Sequence, residues 1–191
     1  GSKIAVLDYI SHRTDPLVQI SIPFMRDIVE RTELFCLLTY LNHDYCIDLH
    51  HETFKDSELL SFGRGCPRPV YIGASPKIMI ADLSKQRIQG YYQQFSAEIA
   101  EVGFAQSLEE FIQHMRKIKK QGFYLSQGEI DPLVCGLSVP IRFSNKEAPI
   151  ALTLVASKNR FDFLNMQKLI EILQDNAAQI EHKFTTLAET A

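Results

Sequence analysis

Apolar residues fall at helical spacing, in alternation and in short unbroken runs along this chain, and the switches between these patterns predict its elements. Asp15-Pro16 pairs a capping residue with the helical position that tolerates proline best, and Leu17, Ile20, Phe24 and Ile28 then share one helical face. Pro23 lies inside that pattern, where its missing donor and its clash with the preceding turn should kink or split the helix. Phe35 to Leu41 and Tyr45 to His51 read as a hairpin closed by Asn42-His43-Asp44. The Gly/Pro-punctuated stretch Gly63 to Pro69 reads as a loop leading into Val70-Tyr71-Ile72.

Ser75-Pro76 reads as a second helix start, with Ser75 as the cap and a stop near Ser84, and a shorter helix is expected from Lys85 to Phe95. Ser107-Leu108-Glu109-Glu110 forms a capping box ahead of the stripe Leu108, Phe111, Ile112, Met115 and Ile118, which ends at Gly122. Phe123 to Leu125, Val134 to Ile141 and Pro149 to Ala156 read as strands, the last two apolar enough to be central in a sheet. A final amphipathic helix carries Met166, Leu169, Leu173, Ala177, Ile180 and Phe184. This order describes an α+β sandwich with a mainly antiparallel sheet flanked by helices, not a doubly wound parallel fold.

With 191 residues, 46% of them hydrophobic, the chain can bury one sizeable core. A formal charge of -3 argues against a nucleic-acid surface, which needs a clustered excess of Lys and Arg. The basic run Arg116 to Lys120 falls in the last turns of a helix, where cations complement the dipole. Cys36, Cys46, Cys66 and Cys135 stand singly, as buried free thiols of a reducing compartment would. No apolar run reaches the roughly 18 residues that span a bilayer and no secretory signal is present, so a cytoplasmic protein is expected. Gly1-Ser2 resembles a scar of tag removal.

Three stretches in order carry a family resemblance. Pro69 to Ala81, reading PVYIGASPKIMIA, is similar to the effector-domain motif of IclR-family transcriptional regulators. Gly122 to Glu129 (GFYLSQGE) and Val134 to Ile141 (VCGLSVPI) resemble the two segments that follow it in that family, and Pro23 to Thr32 resembles its kinked leading helix. The resemblance spans about residues 16 to 184 and implies a GAF-like sandwich that binds a small metabolite. It implies no cofactor. It further implies a homodimer or homotetramer, and operator DNA bound only through an N-terminal winged helix-turn-helix domain absent from this sequence. On this reading residues 1–14 are scar and interdomain linker, 15–186 the effector-binding domain and 187–191 a tail.

Gly73, Ala74 and Ser75 precede a helix N-terminus, where orphan amides and the positive end of the dipole attract a carboxylate; alternatively Ser75 only caps and Gly73 only turns. Pro76 removes one donor there. Family pockets imply polar contacts from Ser126, Glu129, Cys135, Gly136 and Ser138, with Ser126 standing where well-studied relatives have Asp; Glu129 could instead cap a turn or pair with a cation. Leu60, Val134, Leu154 and Ala156 would line an apolar pocket suited to an aromatic carboxylate. Arg68 could clamp that carboxylate, or lie in solvent.

A second reading is a catalytic or metal-binding GAF-like domain. Asp48, His50 and Glu52 would share one face of a regular strand, with Cys46 as the obvious addition, although a polar strand end explains them as well. Cys135 could pair with a remote His as a nucleophile, but a lone Cys in an apolar strand is usually core. No GxSxG, P-loop, HExxH or GxGxxG motif occurs, and a non-enzymatic domain is expected.

Overall fold

The computed structural model describes residues 1–54, 63–143 and 149–190. Its strands are β1 (Phe35–Asn42), β2 (Tyr45–Glu52), β3 (Arg68–Pro69), β4 (Tyr124–Gln127), β5 (Val134–Ile141) and β6 (Ile150–Ser157). They form one sheet in the order β3-β2-β1-β6-β5-β4, every neighbouring pair antiparallel. The helices are α1 (Ser2–Thr14), α2 (Pro16–Thr32), α3 (Ala74–Asp82), α4 (Lys85–Glu101), α5 (Leu108–Gln121), α6 (Lys158–Asp162) and α7 (Met166–Thr190). This is the α+β sandwich expected from the pattern.

Helices α2 and α7 cover one sheet face. Met25 and Ile28 of α2, with Leu173 and Ile180 of α7, pack on Cys36, Leu38, Cys135, Leu137, Leu152, Leu154 and Ala156. Burying a side chain of this size contributes about 1.5–3 kcal/mol each, so this face is the larger source of stability. The other face carries α3, α4 and α5, whose Ile78, Met79, Ile88, Phe111 and Met115 cluster with Leu41, Val70 and Ala151.

The departures from expectation are local. Helix α2 runs through Pro23 without a split, the proline's ring being accommodated within a continuous helix. Asp15 caps that helix, its carboxylate accepting from the amides of Leu17 (2.8 Å) and Val18 (3.2 Å). Residues 2–14, expected as linker, are helical. Arg68-Pro69 forms a two-residue edge strand on Tyr45 and Cys46 rather than part of a loop. Helix α4 continues past Phe95, with a kink there, to Glu101. Cys36, Cys46 and Cys135 are buried free thiols, whereas Cys66 is exposed. Among the described residues no helix is long and apolar enough to cross a membrane.

Helix α3 begins at Ala74, two residues before the expected first helical residue, Pro76. Gly73 is its cap, in a left-handed conformation (φ 90°) that a glycine adopts without strain. Ser75 therefore is not the cap. Its side chain is buried and turned to the sheet, and Pro76 falls within the first turn, where a missing N–H breaks no intrahelical bond.

Candidate functional site

Two rows of the sheet face the start of α3. Tyr124, Ser138, Thr153 and Leu37 lie side by side across β4, β5, β6 and β1, and Ser126, Gly136, Val155 and Phe35 form the next row. Gly136 lets the helix approach: a Cβ built there would lie 3.4 Å from the Cβ of Ala74. The close contact leaves a cavity of about 50 Å³ lined by Arg68, Gly73, Ala74, Ser75, Ser126, Val134, Cys135 and Gly136, together with Leu37, Ile130, Thr153 and Val155. Most of the residues singled out from sequence thus meet at one place.

Beneath the cavity runs a buried polar chain. Ser138 Oγ and Thr153 Oγ1 are 2.6 Å apart, Thr153 Oγ1 and Ser75 Oγ 3.0 Å, and Thr39 Oγ1 lies 3.3 Å from Ser75 Oγ. Asp48 accepts from Thr39 at 2.7 Å and forms an ion pair with Arg68, which also reaches Thr39 at 3.4 Å. Asp48 arrives here because the β1–β2 register shifts between Leu38 and Thr39, placing Thr39 opposite Asp48 instead of Leu49. Arg68 is 7% exposed, so the alternative of an Arg lying in solvent is set aside; its Nε is buried without a hydrogen-bond partner.

Glu129 closes the mouth of α3. Its carboxylate accepts from the Gly73 amide at 2.8 Å, from Lys77 Nζ at 2.5 Å and from the Tyr124 hydroxyl at 2.9 Å. Lys77 is buried with its ammonium 4.0 Å from the centre of the Phe104 ring. Burial pushes the Lys77 amine below its ordinary value of 10.5, against the pull of Glu129. The Tyr124 hydroxyl is pushed up, first by burial and then by the same carboxylate. Glu129 is therefore fixed in place, pinning the β4–β5 connection to the helix. No side chain caps α3, so the amides of Ala74 and Ser75 are its remaining anion donors.

Several sequence-based candidates are placed elsewhere. Leu154 and Ala156 point to the opposite sheet face and are core residues under α2 and α7; the cavity receives Thr153 and Val155 instead. Cys135 contributes to the wall by position, but its side chain is fully buried in that same core and burial pushes its thiol pKa up, which disfavours a nucleophilic thiolate. Ser138 lies in the polar chain rather than on the cavity surface. Leu60 falls outside the described residues. Asp48 does not share a face with His50 and Glu52: the register shift turns Asp48 to α3, while His50 and Glu52 lie together, His50 contacting His12 of α1 and Glu52 contacting Arg26 of α2. Cys46 lies on the α3 side, its thiol pushed up to about 12 by burial, and among the described residues no group of three metal-ligating side chains assembles.

Leu37, Thr39, Ile130, Thr153 and Val155 were not among the candidates, and Asp48 was a candidate only for a metal site. Thr39 and Thr153 did carry a signal, since a hydroxyl within a near-continuous apolar strand requires a buried partner.

The fold is an α+β sandwich with a small, partly polar cavity between α3 and the sheet. Residues 9–182 match the family described as bacterial transcriptional regulator IclR C-terminal, and the chain belongs to that family. Among solved structures it is similar to IclR of Thermotoga maritima, at 17% identity and a TM-score of 0.84 over 96% of this chain and 74% of that one. It is similar also to the IclR regulator of Alicyclobacillus acidocaldarius, at 14% identity and a TM-score of 0.76 over 94% and 72%. A third likeness is to an IclR homolog of Microbacterium hydrocarbonoxydans complexed with 4-hydroxybenzoate, at 20% identity and a TM-score of 0.75 over 89% and 68%. At these identities the likenesses show the fold alone. No curated protein sequence matches the chain significantly.

Proposed function

We propose that this domain senses a small organic carboxylate, with an aromatic acid as the leading class, and that the regulator of which it is part uses the occupancy of the site to modulate transcription. The observation that carries this reading is the cavity between α3 and the sheet, where the Ala74 and Ser75 amides stand beside an Arg68 whose buried Nε has no partner. These donors suit a carboxylate. Ser126 offers a polar contact, and Leu37, Ile130, Val134 and Val155 offer an apolar wall for the body of the ligand. The 4-hydroxybenzoate of the Microbacterium homolog is an acid of this chemistry.

The cavity of about 50 Å³ is well below the roughly 300–1,000 Å³ of ligand pockets. Binding therefore requires it to open, and Ile130 is the side chain placed to move: it is 37% exposed and its Cδ1 would lie 2.9 Å from a Cβ built on Gly73. An effector that binds the opened state better than the closed one shifts the balance between them. In this reading residues 15–186 form the sensing domain, the site performs no reaction and needs no cofactor, and the protein is cytoplasmic. Operator DNA is contacted through a separate N-terminal winged helix-turn-helix domain, and the regulator assembles as a homodimer or homotetramer.

Thermal unfolding with a panel of benzoates and short keto acids tests the reading. At one hundred times Kd a true effector adds about 2.7 kcal/mol, which for a domain of this size raises Tm by roughly 5–10 °C. Absence of stabilisation by every acid in the panel, with calorimetry equally silent, would overturn it. A catalytic reading would gain support instead from turnover of one of these acids.

A further inference from the structure

Among the described residues, the side-chain contacts that hold helix α1 to the domain are polar or through histidine rings. Apart from His12, every side chain described on it is exposed, including Ile4 (70%), Leu7 (65%) and Tyr9 (59%). A helix of 13 residues that buries so little gains no fixed direction from packing. It meets α2 at Asp15, a single extended residue between Thr14 and Pro16. Two side-chain tethers and one bond to the helix backbone restrain that joint among the described residues. One is the exposed Asp8–Arg64 ion pair, of a kind that contributes little in water. The other is a relay in which His12 Nε2 lies 2.9 Å from His50 Nδ1, His50 Nε2 lies 2.9 Å from Glu52 Oε1, and Arg26 Nε donates to the same Glu52 oxygen at 3.1 Å. The amide of Gln19 adds a bond to the His12 carbonyl at 3.0 Å.

The relay tolerates one added proton and not two. Glu52 accepts from Nε2–H of His50, which leaves Nδ1 of a neutral His50 to accept from His12. If His50 is charged, its Nδ1–H donates to a neutral His12 in return. With both rings charged, both facing nitrogens are donors and the bond is replaced by repulsion. We infer that His12, His50 and Glu52 form a proton-operated latch that holds α1 at a fixed angle about Asp15 and releases it on acidification.

The surrounding charges set the direction. Burial, His50 and Arg64 disfavour a charged His12, Asp8 and Asp15 favour it, and the net result lies below the ordinary value of 6.5. His51 stacks on His50 with ring centres 6.4 Å apart, and Glu52 pairs with both His50 and Arg26. Because the docked helix lowers the proton affinity of His12, protons favour the released helix. Docking is complete above the ordinary histidine value and is lost as pH falls through the lowered one.

The chain contains no Trp, so Ile4→Trp on the exposed face of α1 supplies a single fluorescent reporter. Its anisotropy, read from about pH 8 down to about pH 5, should fall while far-UV helix content holds. Adding His12→Gln, which keeps a hydrogen-bonding group but cannot titrate, should keep the anisotropy high throughout. Adding His50→Ala should make it low already at about pH 8. The latch is overturned if the His12→Gln background shows the same pH profile as the reporter alone, if both profiles are flat, or if the fall tracks loss of the whole domain's helix signal.

Discussion

The two faces of β5 and β6 are built from the same sixteen residues of strand and do opposite things. Toward α2 and α7 the strands present Cys135, Leu137, Val139, Leu152, Leu154 and Ala156, all within 1% of full burial in a continuous apolar core. Toward α3 they present Gly136, Ser138, Thr153 and Val155, where hydroxyls pair with one another and a cavity remains. The difference shows where this fold gives up close packing, and the face that gives it up carries the candidate site. The core face holds the sheet rigid so that the thinner face can keep its donors in place.

The largest expected effect comes from the ion pair that anchors the polar face. Asp48→Ala leaves the Arg68 charge buried without its partner, and should cost about 3–5 kcal/mol in denaturant unfolding. Asp48→Leu combined with Arg68→Met should recover most of that stability, because an apolar pair of similar volume needs no compensation. The same double variant should lose carboxylate affinity. Retained affinity would reduce Arg68 to a structural role and weaken the assignment of the anion site.

Leu154→Ala and Thr153→Val compare the two faces at adjacent positions of one strand. Leu154→Ala opens a void in a fully buried core and should cost about 2–5 kcal/mol, with effector affinity unchanged in calorimetry. Thr153→Val keeps the volume but strips Ser138 of its hydroxyl partner and should cost about 1–3 kcal/mol, while effector affinity falls. If Leu154→Ala proved the variant that alters binding, the ligand would lie on the other side of the sheet.

Much of this division could be read from the sequence, and its failures have physical causes. Gly73 and Ala74 were legible as small residues beside a helix N-terminus, and Gly136 through the family resemblance; the close approach of helix and sheet that links them is visible only in the structure. Leu154 and Ala156 were assigned to the wrong face because seven of the eight residues of β6 are buried, so alternation carries no contrast between faces. The start of α3 was misplaced by two residues because Ser75 has the chemistry of a cap, yet its hydroxyl is taken up by Thr153 and Gly73 supplies the turn. Asp48 was grouped with His50 and Glu52 because the irregularity at Leu38/Thr39 cannot be seen in a strand's composition. Helix α1 gave no signal, since its apolar residues remain exposed and mark no buried face.

Ile130 provides the smallest stability effect and the most specific test of the cavity. It sits on the β4–β5 connection, which Glu129 ties to α3, and its side chain fills the space in front of Gly73. Because that side chain is already 37% exposed, Ile130→Ala should cost only about 1 kcal/mol or less. Shortening it should enlarge the cavity and remove part of the cost of opening, so the affinity for benzoate-sized acids should rise while that for the shortest acids changes little. Ile130→Phe should do the reverse. Competitive calorimetry with one acid of each size measures both variants directly. Equal shifts for large and small acids would mean that Ile130 acts on the fold as a whole and does not bound the site, whereas opposite shifts in the two variants would place the ligand between Ile130 and the α3 N-terminus.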